Sequence, residues 1–156
     1  MLGASLILDL NRATQRGITQ ASCIALRMKA VSLQPALQSH PALRNVLQRY
    51  LYVVIEELLQ TTGCIRFHDV GKRLARGLLL AHDRACSDHF VLTHLVLAEM
   101  PGVQRGAVTI AAAGLQRAGI IRYRRGKISI LDRKQLEATA CGCYRARTEN
   151  YAGILA

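Results

Sequence analysis

Apolar residues change their spacing several times along this chain, and each change marks an element. Up to about residue 38, β-branched and apolar residues gather at 5–10 and 18–28, interrupted by Asn11 and Gly17, which reads as strands. Ser39 and Pro41 then mark a helix start. Leu43, Leu47, Tyr50, Val54 and Leu58 follow at intervals of three and four. Such a stripe suits either packing within its own domain or the pairing of two identical helices about a two-fold axis. Gly63 is expected to loosen this helix near its end, and Asp69 can cap the next one, which carries Val70, Leu74, Leu78 and Ala81. After Tyr144 no period is evident, and the tail is expected to be mobile.

The densest pattern lies between residues 92 and 131. Thr93 can cap a helix that turns Leu95, Leu97, Ala98 and Met100 toward a core, and Gly102 supplies a turn. A second helix is expected over about 104–118, because Val108, Ala111, Ala112 and Leu115 recur at helical spacing and Gly119 suits a left-handed C-terminal cap. Its other face carries Arg105, Thr109, Ala113 and Gln116. The period then becomes two: Ile121 and Tyr123 alternate with Arg122 and Arg124, Arg125-Gly126 makes a turn, and Ile128 and Ile130 alternate back. The order is helix, turn, helix and a two-stranded wing over 121–131, in a fold that is mainly α with small β elements.

Charge sharpens this picture. Arg105, Arg117, Arg122, Arg124, Arg125, Lys127, Arg133 and Lys134 face a single acid, Asp132, in that stretch, so +7 of the chain's net +11 is concentrated there. A cluster of this kind neutralises phosphates and releases condensed counterions, whereas a merely solvated basic surface would show no such order of elements. Arg105 stands at the N-terminal end of the second helix, where a bidentate contact to guanine O6 and N7 is worth about 1–3 kcal/mol of discrimination. Thr109, one turn on, suits a thymine methyl or a phosphate. Gln104 and Thr93 suit phosphates, and Arg124, Arg125 and Lys127 suit phosphates or the minor groove.

Composition bounds the remaining classes. With 156 residues and 51% hydrophobic content the chain can fill one modest core or two small ones. No run approaches the roughly 18 apolar residues of a membrane span, and a cytoplasmic location is expected. Five cysteines at 23, 64, 86, 141 and 143 are odd in number and scattered, against a disulfide framework. Cys64 with His68, and His82 with Cys86, have i to i+4 spacing, with His89 and His94 nearby, which would suit zinc or a redox iron centre. There is no Cys-x-x-Cys pair and Cys141-Gly-Cys143 is poorly spaced, so no metal or other cofactor is expected. Glycine-rich phosphate loops and nucleophile elbows are missing too, and the adjacent Glu56 and Glu57 point to different sides of a helix, so no enzyme is expected.

These residues resemble the Crp/Fnr family of bacterial transcription regulators. The run Arg73-Leu-Ala-Arg-Gly-Leu-Leu-Leu-Ala-His82 looks like the helix preceding the family's DNA-reading pair. His40-Pro-Ala-Leu-Arg-Asn-Val-Leu-Gln-Arg-Tyr50 resembles the start of its long dimerisation helix. Arg12-Ala-Thr-Gln-Arg16 and Ala25-Leu-Arg-Met28 look like closing strands of its β-roll sensor. The resemblance implies a β-roll remnant over 1–40, cyclic-nucleotide-binding-like, a dimerisation helix over 41–68, a winged helix-turn-helix over 69–145 and a tail over 146–156. Only about forty residues precede the long helix, so the roll is cut open: Gly3 and Arg12-Ala13-Thr14 are the nearest remnants of its effector pocket, and no nucleotide is expected to bind.

Arg105 matches the family's first recognition arginine, but Gly106 stands where a glutamate often follows and Ile110 where a second arginine is common. Gly106 and Gly114 each cost about 1 kcal/mol relative to alanine inside a helix, and Pro101 removes a backbone donor before the turn. A different site preference is the first reading of these departures and partial decay the second. The expected protein is a dimeric, sequence-specific regulator of an inverted repeat in double-stranded DNA, with RNA polymerase as a further partner. The rival expectation is a truncated chain that heterodimerises with a full-length relative and modulates it, and a metal-responsive regulator is a third.

Overall fold

The computed structural model describes residues 3–12, 17, 24–85, 87–91, 97, 102–124 and 126–155. Among them the chain is mainly helical with one three-stranded antiparallel sheet. It divides into two compact units, residues 1–58 with 149–156, and residues 59–148.

The first unit opens with a short 3-10 helix, Ala4–Leu8, where a strand was expected. Gly3 (φ 77°) and Asp9 (φ 59°) are left-handed on either side, and the Leu10 N–H returns to the Ser5 carbonyl at 3.0 Å. This closes a turn on itself instead of extending an edge for pairing. Ile7 is buried, and Gln34 on helix α1 (Ala30–Ser39) donates its side-chain amide to the Leu6 carbonyl at 2.7 Å. Of the second expected strand, residues 18–23 lie outside the described residues and 24–28 take no regular form. The chain is helical from Ala30, ahead of the Ser39 and Pro41 start signal.

That signal marks a break between two helices. His40 sits at φ −127°, ψ 83°, because the ring of Pro41 bars the residue before it from the helical region. Pro41 then opens α2 (Pro41–Phe67), at a position where its missing N–H costs nothing. Twenty-seven residues give α2 a length of about 40 Å, and it runs through Gly63 without loosening. Its exposed apolar arc is Tyr52, Ile55, Leu58 and Leu59. Of the expected stripe, Leu47, Tyr50 and Val54 are half-buried while Leu43 and Leu58 are exposed, so the exposed arc is turned by about one residue from the sequence reading.

The second unit is built on α3 (Val70–Ala85). Asp69 caps it as expected, its carboxylate accepting the Lys72 N–H at 2.9 Å. Leu74, Leu78 and Leu79 are wholly buried and meet Leu97, Val108, Ala112, Leu115, Ile121, Ile128 and Leu136 in one core. Helix α4 (Arg105–Arg117) ends at Gly119 (φ 72°), where the Ile120 N–H bonds to the Leu115 carbonyl and the Gly119 N–H to that of Gln116, both at 3.0 Å. This left-handed closure with its buried Leu115 and Ile120 is the stop the glycine forecast.

Strands β2 (Ile121–Arg124) and β3 (Lys127–Ile130) form the expected hairpin, with Ile121, Ile128 and Ile130 turned inward. A third strand, β1 (His89–Val91), pairs on the other side of β3, giving the order β1-β3-β2. Helices α5 (Arg133–Thr139), capped by Asp132, and α6 (Cys143–Leu155) follow, so the tail expected to lack order is helical. Among the described residues, no helix is long and apolar enough to cross a membrane.

Candidate nucleic-acid interface

Arg105 is the first residue of α4 and is exposed. Gln104 before it is extended (φ −65°, ψ 148°) and exposed, and its side chain makes no capping hydrogen bond, so the helix is entered through backbone alone. The partial positive charge of the first turn and the Arg105 guanidinium therefore share one end of α4. Gly106, Thr109, Ile110, Ala113, Gln116 and Arg117 are the other exposed positions of the helix.

Two of these side chains are already engaged. The Thr109 hydroxyl donates to the Arg105 carbonyl at 2.9 Å, which leaves its methyl group and oxygen lone pairs for a ligand but not its proton. Gln116 accepts the Tyr123 N–H at 3.0 Å and thereby couples α4 to strand β2. Sequence reasoning had put Gln116 on the outward face of the helix; its neighbour across this bond only appears once the wing is folded.

The wing carries an arrangement that costs stability. Arg124 and Lys127 are exposed cross-strand partners around the two-residue connection, with Gly126 at φ 79°. Like charges directly opposite on a strand pair are destabilising, so the fold gains nothing from this pair. Arg122 and Lys134 are also exposed. Arg133, which sequence analysis had added to the basic cluster, is withdrawn from it. Its guanidinium donates to Asp83 at 2.9 Å, Glu137 at 2.9 Å and the Tyr144 hydroxyl at 2.8 Å, and it also meets His82 Nδ1. On the other side of the ring His82 Nε2 is 2.6 Å from the Asp88 carboxylate, and this hydrogen bond holds that carboxyl below its usual range.

Thr93 and Arg125 lie outside the described residues, as do 94–96 and 98–100 of the first expected helix of the pair. Leu97 from that stretch is buried at 1%, and Gly102 has the positive φ of 65° that a tight turn demands.

A separate cluster lies in the same unit. The ligand atoms of Cys64, His68, Cys141 and Cys143 are all within 4.8 Å of one another. Cys64 Sγ is 3.5 Å from Cys141 Sγ, and Cys143 Sγ is 3.6 Å from His68 Nδ1. Burial first, and then the Cys141 thiol beside it, push the Cys64 thiol up to about 12, while the Arg76 guanidinium pulls the other way. The sequence reading paired Cys64 with His68 but set Cys141 and Cys143 aside for their spacing. His82, from the other suggested pair, is committed to Asp88 and Arg133, and Cys86 lies outside the described residues.

Residues 72–139 match the family described as the Crp-like helix-turn-helix domain. No curated protein sequence matches the chain. Among solved structures it is similar to a Crp/Fnr-family transcriptional regulator from Eubacterium rectale, with 24% identity, a TM-score of 0.52, and coverage of 70% of this chain and 45% of that one. It is also similar to a CRP-family transcriptional regulator from Thermus thermophilus, with 25% identity, a TM-score of 0.56, and coverage of 65% and 54%. The chain thus spans about half the length of the solved structures it matches.

Proposed function

We propose that this protein, whose residues 72–139 match the Crp-like helix-turn-helix domain, is a non-enzymatic, cytoplasmic transcription regulator that binds an inverted repeat in duplex DNA as a homodimer. The observation that carries the reading is the pairing of an exposed Arg105 on the first turn of α4 with a wing whose Arg124 and Lys127 face each other at its tip. In this reading α4 enters the major groove by its N-terminal end, and Arg105 makes a bidentate contact to a guanine. The methyl group of Thr109 meets a thymine methyl one turn further on. Gln104, Thr93 and the start of the Thr93 helix hold phosphates, and Arg124, Arg125 and Lys127 hold the flanking backbone or minor groove.

Dimerisation would follow from the apolar arc Tyr52, Ile55, Leu58 and Leu59, which is too continuous to be a scatter of surface residues. Two copies related by a two-fold axis present their recognition helices to successive major grooves about 34 Å apart. The test is selection from a random duplex pool near physiological salt, with the oligomeric state recorded alongside. Enrichment of an inverted repeat by a dimer supports the proposal. Salt-sensitive binding that enriches no motif overturns its sequence-specific part.

A further inference from the structure

The cluster at Cys64, His68, Cys141 and Cys143 has the chemistry and the dimensions of a metal centre. A tetrahedral zinc ion holds thiolate sulfur at about 2.3 Å, so neighbouring ligand atoms stand about 3.8 Å apart. Here the contacts are 3.5 Å between Cys64 and Cys141 and 3.6 Å between Cys143 and His68, and no pair among the four exceeds 4.8 Å. Closing the widest separation to a tetrahedral edge takes a shift of about half an ångström at each of the two atoms, within the reach of a side-chain rotation. Three sulfurs and an imidazole are a soft donor set that favours zinc over the oxygen-seeking magnesium or calcium.

Local structure brings the donors together from two places far apart in sequence. Cys64 lies one turn before His68 at the end of α2, and the His68 N–H bonds to the Cys64 carbonyl at 3.1 Å. Cys141 and Cys143 flank Gly142 at the start of α6, where the Tyr144 N–H bonds back to the Cys141 carbonyl at 3.1 Å. Cys64 is 2% exposed and Cys141 5%, and all three sulfurs are free thiols.

An independent observation concerns charge. Arg76, on α3, is 7% exposed, and among the described residues it has one hydrogen bond, to the Thr61 hydroxyl at 3.4 Å, while its buried Nε has no partner. A buried guanidinium without a carboxylate is costly. Its field acts on both Cys64 and Cys143. Three thiolates, one neutral imidazole and one dipositive ion sum to a single negative charge, the countercharge that Arg76 lacks among the described residues.

We infer that Cys64, His68, Cys141 and Cys143 bind one zinc ion in a closed, four-ligand structural site that fastens the end of α2 to the start of α6. All four positions of the ion are filled by protein, so the site holds no open position for a substrate or activated water. Binding displaces the thiol protons of the three cysteines to solvent and forms three zinc–sulfur bonds and one zinc–nitrogen bond. All four ligands lie outside residues 72–139, so the site is no part of the matched helix-turn-helix domain.

The experiment uses the full chain, reduced, stripped with a chelator and titrated with cobalt(II) and then zinc, without DNA. The expected result is one cobalt per chain with a thiolate-to-metal charge-transfer band and the visible bands of tetrahedral cobalt, both abolished by one equivalent of zinc. Zinc should also raise the melting temperature. Cys143→Ser, chosen because Cys143 is only half-buried, should weaken binding by more than the roughly 10- to 100-fold that loss of an outer partner costs. Uptake well below one equivalent in the folded wild-type chain overturns the inference. So does cobalt bound without a thiolate band, or recovery of Cys64 and Cys141 as a disulfide from protein kept under reductant. The wild-type titration stands even if a cysteine variant fails to fold.

Discussion

Arg105 and Thr109 are one turn apart on the exposed side of α4, yet only one of them is free to donate. The Thr109 hydroxyl is spent on the Arg105 carbonyl, whereas the guanidinium carries five donors and stands at the helix entrance. Arg105→Ala is therefore expected to cost about 1–3 kcal/mol on the selected site and much less on unrelated duplexes, so that competition binding shows a narrowed preference. Equal loss on every sequence would remove its base-reading role. Asp69 offers a second test in the same unit. Its carboxylate accepts the Lys72 amide, and that bond holds its pKa below the usual carboxylate value. Because the folded pKa is the lower one, the stabilisation is complete above the unfolded value of about 3.9 and is lost as pH falls through the folded value. Asp69→Ala should cost about 1 kcal/mol at neutral pH, roughly 4–8 °C in melting temperature for a unit of this size. Asp69→Asn, which caps without titrating, should melt near the wild type at pH 7 and lose less of its stability on acidification. This cap was legible because it needs only a side chain three residues from its partner. The role of Arg133 was not, since Asp83 and Tyr144 come from helices whose packing no local pattern records.

At the scale of elements, the wing poses a question of competing terms. Arg124 and Lys127 repel each other across the hairpin, so the fold itself gains nothing from them. Replacing both with glutamine is expected to leave the melting temperature unchanged or slightly higher. The same double variant should weaken all duplexes alike and reduce the slope of log affinity against log salt by about 2, one phosphate for each charge. A loss confined to the selected sequence would instead make these side chains base readers. The hairpin and the ends of α4 could be read from sequence because alternating isoleucines, the turn glycine and Gly119 are all local signals. Strand β1 could not: three residues are too few to show a period, and β1 exists through its pairing with β3, about forty residues away. The expected strand at 5–10 failed for the opposite reason. Its apolar residues fit a pleat, but the left-handed Asp9 folds them into a closed 3-10 turn whose Ile7 is buried in the first unit. Helix α6 escaped notice because its apolar residues do not fall on one side.

For the molecule as a whole, what sequence could not reach are the meetings of distant segments. Cys64 and Cys141 are 77 residues apart, and a spacing rule applied to neighbours on the chain rejected half of a cluster that the fold completes. The proposed dimer raises the same problem on α2. A helical period locates a stripe but not the part of it that the chain's own packing covers, and here Leu47, Tyr50 and Val54 are half-buried while Tyr52, Ile55 and Leu59 are exposed. Ile55 and Leu59 are 54% and 64% exposed and one turn apart, so a partner helix lying along them would desolvate both. At about 25 cal/mol per Å² of apolar surface, a few such side chains from each copy are enough to decide between monomer and dimer. Glutamate at both positions should therefore give a monomer by sedimentation with the helix content retained. Such a monomer still carries Arg105 and the wing, so its affinity for one half-site should be close to that of a wild-type subunit, while its advantage on the inverted repeat disappears. If Ile55→Glu with Leu59→Glu remains dimeric, the two-fold contact lies elsewhere on the chain. If the wild type is a monomer that nevertheless selects an inverted repeat, pairing occurs on the DNA, and affinity should then rise cooperatively with occupancy of the second half-site.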